Sequence, residues 1–235
     1  MAIYALSDPH LSFSTDKPMD VFGDGWKDHA KRIEEEWSAV VSPEDTVVVP
    51  GDISWAMTLE EVVPDLAFLH ALPGRKIISK GNHDYWWGTV GKVEKLVAEN
   101  GFDSIVFLKN NAFVTEDAVI CGTRGWLLPG DSDFRQSDRV IYDRELGRLA
   151  RSLEQGRALV TDDGMRLVAA LHYPPMSFPF RDTEVTEILE RFGVDICVYG
   201  HLHGPALRRV FEGERNGVEY HLVSADYRAF KPLQL

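Results

Sequence analysis

Five short clusters in this 235-residue sequence bring together residue types that ligate metals or move protons. They are Asp8-Pro9-His10, Gly51-Asp52, Gly81-Asn82-His83-Asp84, His172-Tyr173-Pro174-Pro175 and Gly200-His201-Leu202-His203. Of the 8 histidines, five lie in these clusters. Imidazole, carboxylate and carboxamide donors suit borderline divalent ions such as Mn, Fe, Zn or Co, and Mn is the expected one. Cys121 and Cys197 lie far apart inside apolar runs, so they read as buried thiols and leave no thiolate site. Asp8, His10, Asp52, Asn82, His172, His201 and His203 are seven ligand-type groups, too many for one ion. Two divalent ions that share one bridging carboxylate would use them all.

Such groups need elements that carry them to one place. Each cluster follows an apolar run: residues 3–7, 46–49, 75–79, 166–171 and 195–199. Runs this short, rich in Val and Ile, read as buried strands. In open α/β sheets the carboxyl ends of the strands carry the site, so clusters distant in sequence would converge on one edge. Asp8 and His10 are two residues apart, as are His201 and His203, which on extended backbone points both side chains the same way. Pro9 disfavours helix at Asp8, Gly51 permits a tight exit before Asp52, and Pro174-Pro175 stiffen the chain behind His172.

The intervening segments read as helices and hairpins. Trp26, Ala30, Ile33, Trp37 and Val40 or Val41 form a helical stripe, with Glu34-Glu35-Glu36 on its solvated face. Thr58-Leu59-Glu60-Glu61 reads as a capping box that starts the next helix, although Pro64 then sits late for a first-turn proline. Further helices are expected near 89–99, 138–155 and 183–192, with 156–164 ambiguous. A strand is expected at 105–108, and hairpins over 112–122 and from 206–211 to 217–224. His29 reads as surface, His70 as a helix C-terminal partner and His221 as structural. Tyr85-Trp86-Trp87 reads either as core packing or as a stacking surface. Arg124, between Gly122 and Gly125, is either a salt-bridge residue or a fork onto a phosphate.

Length and charge bound the rest. A chain of 235 residues with 44% hydrophobic and 26% charged residues reads as one soluble globular domain over 1–235. Lys and Arg number 25 against 37 Asp and Glu, and the net charge of -12 disfavours nucleic acid and anionic membranes as partners. No run approaches the roughly 20 apolar residues of a membrane span. Residues 3–6 are apolar with no basic stretch before them, so no signal peptide is expected and the expected location is cytoplasmic.

The order Asp-x-His, Gly-Asp, Gly-Asn-His-Asp, a lone His and Gly-His-x-His resembles the calcineurin-like metallophosphoesterase superfamily across residues 8–203. The resemblance implies an α/β fold, a four-layer α/β/β/α sandwich with two central mixed sheets and a dinuclear metal site at the strand carboxyl ends. It implies one metal on Asp8, His10 and His203, a second on Asn82, His172 and His201, and Asp52 as the bridge. It implies His83 as the catalytic imidazole near the leaving group, with Asp84 orienting it. Many members place another acidic or amide residue shortly after Gly-Asp, where this chain has Ile53-Ser54-Trp55.

The implied activity is phosphoester hydrolysis of a small or medium phosphorylated metabolite, monoester or diester. A water shared by two such ions, acidified toward about pH 7, would attack phosphorus in line. A nuclease of the same superfamily is disfavoured by the charge and by the lack of a basic run to track a strand. A non-catalytic scaffold on the same fold would be expected to have lost ligands.

Overall fold

The computed structural model describes residues 1–162 and 164–235. In chain order its elements are β1 (Ile3–Ala5), α1 (His29–Val40), β2 (Thr46–Pro50), α2 (Val63–Ala71), β3 (Arg75–Ser79), α3 (Val90–Glu99), β4 (Ile105–Leu108), β5 (Ala112–Val114), β6 (Ala118–Thr123), α4 (Asp138–Leu159), β7 (Arg166–Leu171), α5 (Glu184–Arg191), β8 (Ile196–Tyr199), β9 (Gly213–Arg215), β10 (Val218–Leu222) and β11 (Leu233–Gln234). They divide into two compact units, residues 1–107 with 223–235, and residues 108–222. Each unit is built on its own mixed sheet.

The first unit carries a sheet in the order β11-β1-β2-β3-β4. β1, β2 and β3 run parallel, and β11 pairs antiparallel to β1. Val47, Val48, Val49, Ile77 and Ile78 are fully buried, as expected of parallel strands covered on both faces. On α1, Ile33 and Trp37 face inward. Trp26 is buried too, but it lies in a 3-10 turn before the helix, because Asp28 adopts φ 53 and breaks the continuity. α2 begins at Val63, so Pro64 falls in the first turn, where its missing N–H costs nothing. The Thr58 hydroxyl instead accepts the Glu61 N–H (3.2 Å) in the turn before it, which resolves the late proline.

Lys76, fully buried on β3, closes the far end of α2. Its Nζ donates to the carbonyls of Leu72 (2.6 Å), Gly74 (2.7 Å) and His70 (3.3 Å). Those carbonyls lie at and just beyond the helix C-terminus, where orphan acceptors need donors. Trp86 and Trp87 are buried in this unit's core, whereas Tyr85 is 59% exposed. The tryptophans are therefore packing residues, and only the tyrosine is open to solvent.

The second unit carries a sheet in the order β5-β6-β7-β8-β10-β9. Its four inner strands are parallel, and β5 and β9 add antiparallel edges. α4 packs closely on β6: a Cβ added at Gly156 would lie 2.0 Å from the Cys121 sulfur. That helix runs to Leu159, which settles the first part of the ambiguous stretch, while position 163 lies outside the described residues. α5 is opened by Thr183 and Thr186, whose hydroxyls each accept the other's backbone N–H (3.2 and 2.9 Å).

The terminal hairpin differs from expectation. Its arms are β9 and β10, joined at Asn216 (φ 51) and Gly217 (φ 79), a left-handed pair that matches a tight hairpin turn. Residues 204–209 form a 3-10 turn instead of an arm, with Pro205 in its first turn. Both cysteines are buried and unbridged, and burial pushes the Cys121 thiol up to about 12 and the Cys197 thiol also well above its usual value. No helix among the described residues is long and apolar enough to cross a membrane. The mixed α/β class expected from the sequence is present, with helices flanking each of two mixed sheets.

Candidate metal centre

The first unit gathers Asp8, His10, Asp52 and the turn at 81–84. The loop after β1 lies along residues 51–53: the N–H groups of Asp8, His10 and Leu11 donate to the carbonyls of Gly51, Asp52 and Ile53 (3.0, 3.1 and 2.9 Å). These bonds hold Asp8 at φ 57 and His10 at φ 46, and Asp52 follows at φ 51. The expectation of extended backbone through Asp8 and His10 is thereby corrected. The two side chains are brought together by left-handed residues pinned against a second loop, not by strand alternation. Non-glycine residues in this region carry strain and concentrate at functional sites.

Asp8 presents ligand-type atoms within 4.8 Å of those of His10 and of Asp52. His10 Nε2 stands 3.8 Å from Asp52 Oδ2. One oxygen of Asp8, Oδ2, accepts the hydroxyls of Ser7 and of Ser224, the latter at 3.1 Å. Asp52 Oδ1 accepts the His83 backbone N–H (2.8 Å), which ties the 81–84 turn to β2's exit. Asn82 and His83 are half-buried on that turn. Only glycine fits at position 81, since a Cβ there would lie 2.1 Å from Asp52 Oδ1 and 2.2 Å from its backbone nitrogen.

Asp84 occupies a different place from the one assigned to it. Its fully buried carboxylate accepts N–H bonds from Gly81 (2.7 Å), Ile53 (2.8 Å), Ser54 (3.1 Å) and the Trp86 indole (3.0 Å). Consecutive side chains on this turn diverge, so Asp84 braces the turn against residues 53–54 and does not hold the His83 ring. Burial pushes its carboxyl up to about 6 despite those four donors. The ring of His83 instead faces Asp52 Oδ2 at 4.0 Å and Trp55, whose ring centroid is 4.4 Å away.

Trp55 also stacks on His10 at 5.0 Å with an interplanar angle of 20°, and its indole N–H meets the Met19 sulfur at 3.1 Å. Trp55 therefore lies against the rings of both His10 and His83. His29 is not a plain surface residue either. Its Nε2 lies 3.2 Å from the His10 carbonyl, and burial lowers its pKa. Sequence patterns had no means of finding Ser7, Ser224, His29 or Trp55. None of them sits in a recognisable motif, and Ser224 lies 216 residues from the carboxylate it binds.

The second unit gathers Arg124, His172, His201 and His203. The Arg124 carbonyl accepts both the His172 and the Tyr173 N–H (3.0 Å each), and the His172 carbonyl accepts the Gly200 N–H (3.1 Å). The exits of β6, β7 and β8 are thus stitched to one another. His172 is fully buried. Its ring centroid is 5.1 Å from that of His201, which in turn lies 4.4 Å from Tyr173. His201 is left-handed at φ 73 and His203 extended at φ -137, so this pair also departs from simple strand alternation.

The guanidinium of Arg124 lies 4.4 Å from the Trp126 ring centroid and 3.9 Å from Glu145. Glu145 is buried and also takes the Thr123 hydroxyl (2.6 Å) and Arg148 (2.5 Å). Burial lowers the Arg124 pKa. The donor chemistry of both units fits divalent cations. Asp8 and Asp52 are carboxylates with almost no solvent exposure, and carboxylate oxygens beside imidazole nitrogens are donors that such cations take.

A family model described as calcineurin-like phosphoesterase matches residues 1–205. No curated protein matches the chain. Among solved structures, the phosphopantetheinyl hydrolase of Mycobacterium tuberculosis is similar at 17% identity and a TM-score of 0.59, over 100% of this chain and 95% of that one. A protein of unknown function from Aquifex aeolicus is similar at 18% identity and TM-score 0.52, over 99% and 95% of the two chains. A Thermus thermophilus protein is similar at 11% identity and TM-score 0.53, over 99% and 97%. At these identities the likeness speaks to the fold.

Proposed function

Because this chain belongs to the calcineurin-like phosphoesterase family, we propose that it is a dinuclear metal-dependent phosphohydrolase acting on a phosphomonoester or phosphodiester of a small or medium metabolite. The observation that carries the reading is the extent of the family match, 1–205, which includes every proposed ligand and runs through both compact units. The chain is accordingly taken to act as one functional domain. Asp8, His10 and His203 would hold one ion and Asn82, His172 and His201 the other, with Asp52 shared. Mn, Fe, Zn and Co all suit these donors, and Mn is the ion favoured for the test. When bound, such a pair supplies positive charge for the phosphoryl oxygens and acidifies a water.

The chain's own residues do the rest. Ser7 and Ser224 fix the rotation of the Asp8 carboxylate through Oδ2. His83, half-exposed and backed by Trp55, donates a proton to the departing oxygen. Arg124 forks onto the phosphate, with Trp126 supporting its guanidinium plane. Mn-loaded protein should carry two equivalents per chain by elemental analysis and turn over an aryl phosphate. One equivalent or less with full activity would overturn the dinuclear assignment, and no turnover in the loaded protein would favour a scaffold. A substrate panel should span phosphomonoesters, cyclic and linear diesters and nucleotides, and include a phosphopantetheinyl ester on the strength of the Mycobacterium neighbour's name.

A further inference from the structure

A cavity of about 340 Å³ opens in the second unit beside His201. That volume lies in the range of small-molecule sites, about 300–1,000 Å³. Its apolar lining includes Trp126, Tyr173, Met176 and Phe178. The Tyr173 ring is 4.4 Å from His201 and 5.4 Å from Trp126, so these rings lead from the proposed ligand into the cavity. Phe178, which also lines the cavity, is 64% exposed and meets the Phe180 ring with centroids 5.7 Å apart.

The charged lining is acidic on balance. Asp131 and Asp133 enter from one loop, and among the described residues Arg209 is the one Lys or Arg side chain that lines the cavity. Asp131 accepts the Leu128 N–H (3.1 Å) and so fixes its loop. Asp133 is exposed on the same loop.

We propose that this cavity receives the organic part of the phosphoester. It selects an apolar group, uncharged or cationic, over one bearing further phosphates or carboxylates. The proposal rests on the phosphohydrolase reading, since it is His201 as a ligand that places a phosphoryl group at the cavity mouth. Aromatic faces hold a flat or aliphatic body by stacking and burial. Two carboxylates against one arginine disfavour a second anion.

The test uses Mn-loaded full-length protein and paired alkyl phosphates of similar intrinsic reactivity. Phe178→Ala should lower the ratio of kcat/KM for 1-naphthylmethyl phosphate over ethyl phosphate about three- to tenfold, the scale of one aromatic contact. Asp133→Lys should raise the ratio for 4-carboxybenzyl over 4-methylbenzyl phosphate about threefold, the scale of one exposed charge pair. Calorimetric binding of the non-hydrolysable 1-naphthylmethyl phosphonate should weaken in Phe178→Ala by a similar factor. Turnover with both ratios unchanged in the variants overturns the cavity assignment and leaves the phosphohydrolase reading standing. Variant-sensitive phosphonate binding with no ester turnover supports the cavity and sinks the hydrolase reading.

Discussion

His83 and Asp84 are neighbours in sequence with opposite duties. Asp84 is sealed in the fold by four N–H donors, whereas His83 is half-exposed on the same turn. His83→Ala should keep both metals and the fold while losing about 10²–10⁴ in turnover, the scale of general acid catalysis. The loss should shrink for esters with acidic leaving groups, which depart without a proton. A rate series over leaving-group pKa checks this, and an equal loss across the series would refute the acid role. Asp52 is the proposed bridge: its Oδ1 takes the His83 N–H and its Oδ2 stands 3.8 Å from His10. Asp52→Asn should lower bound metal more than Asp8→Asn does, read by elemental analysis, because an amide bridges poorly. The ligand-type residues were legible in the sequence because their types recur after apolar runs. Their supports were not, since Ser7, Ser224, His29 and Trp55 act through hydroxyl bonding, a carbonyl contact and ring stacking that no local pattern encodes.

Elements were legible where a local signal was decisive. The β-branched strands β2 and β3 and the amphipathic α1 match their patterns because burial follows side-chain period. The terminal hairpin was misplaced although Asn216-Gly217, a strong two-residue turn signal, stood in the sequence. The apolar residues of 206–211 drew the arm too early, where Pro205 starts a 3-10 turn. Lys76 could not be anticipated at all: a lysine in a strand reads as an edge or a solvated face, and here it caps the neighbouring helix from within. Lys76→Met should cost about 1.5–3 kcal/mol by chemical denaturation, because it leaves carbonyls of Leu72 and Gly74 without their donor. Burial pushes the Lys76 ammonium down to about 8 from its usual 10.5. Between those values the unfolded chain holds the proton that the folded one has lost, so stability should rise with pH over that window. A neutral amine still donates two hydrogen bonds. The rise should vanish in Lys76→Met, and a parallel pair of stability curves from pH 8 to 10.5 would refute the assignment.

At the scale of the whole chain, the first unit is assembled from two distant stretches, 1–107 and 223–235. The later stretch supplies β11 on the edge of β1 and the Ser224 hydroxyl on Asp8. Neither lies within the 1–205 family match, which is why motif order spoke to the ligands and left this closure unseen. Removing residues 223–235 should lower the melting temperature and reduce metal occupancy together, measured by scanning calorimetry and elemental analysis on the same samples. Loss of stability with two metals still bound would show the segment to be a brace for the sheet alone. The separation of 216 residues between Asp8 and Ser224 also sets a clock during synthesis. At about 5–20 residues per second the ribosome needs roughly 10–40 s to cover that distance. From the synthesis of Asp52 onward the nascent chain carries Asp8, His10 and Asp52 without the serine whose hydroxyl reaches the Asp8 carboxylate. Any metal held by the proposed ligands would therefore meet the fully hydrogen-bonded Asp8 carboxylate only after residue 224 has left the ribosome.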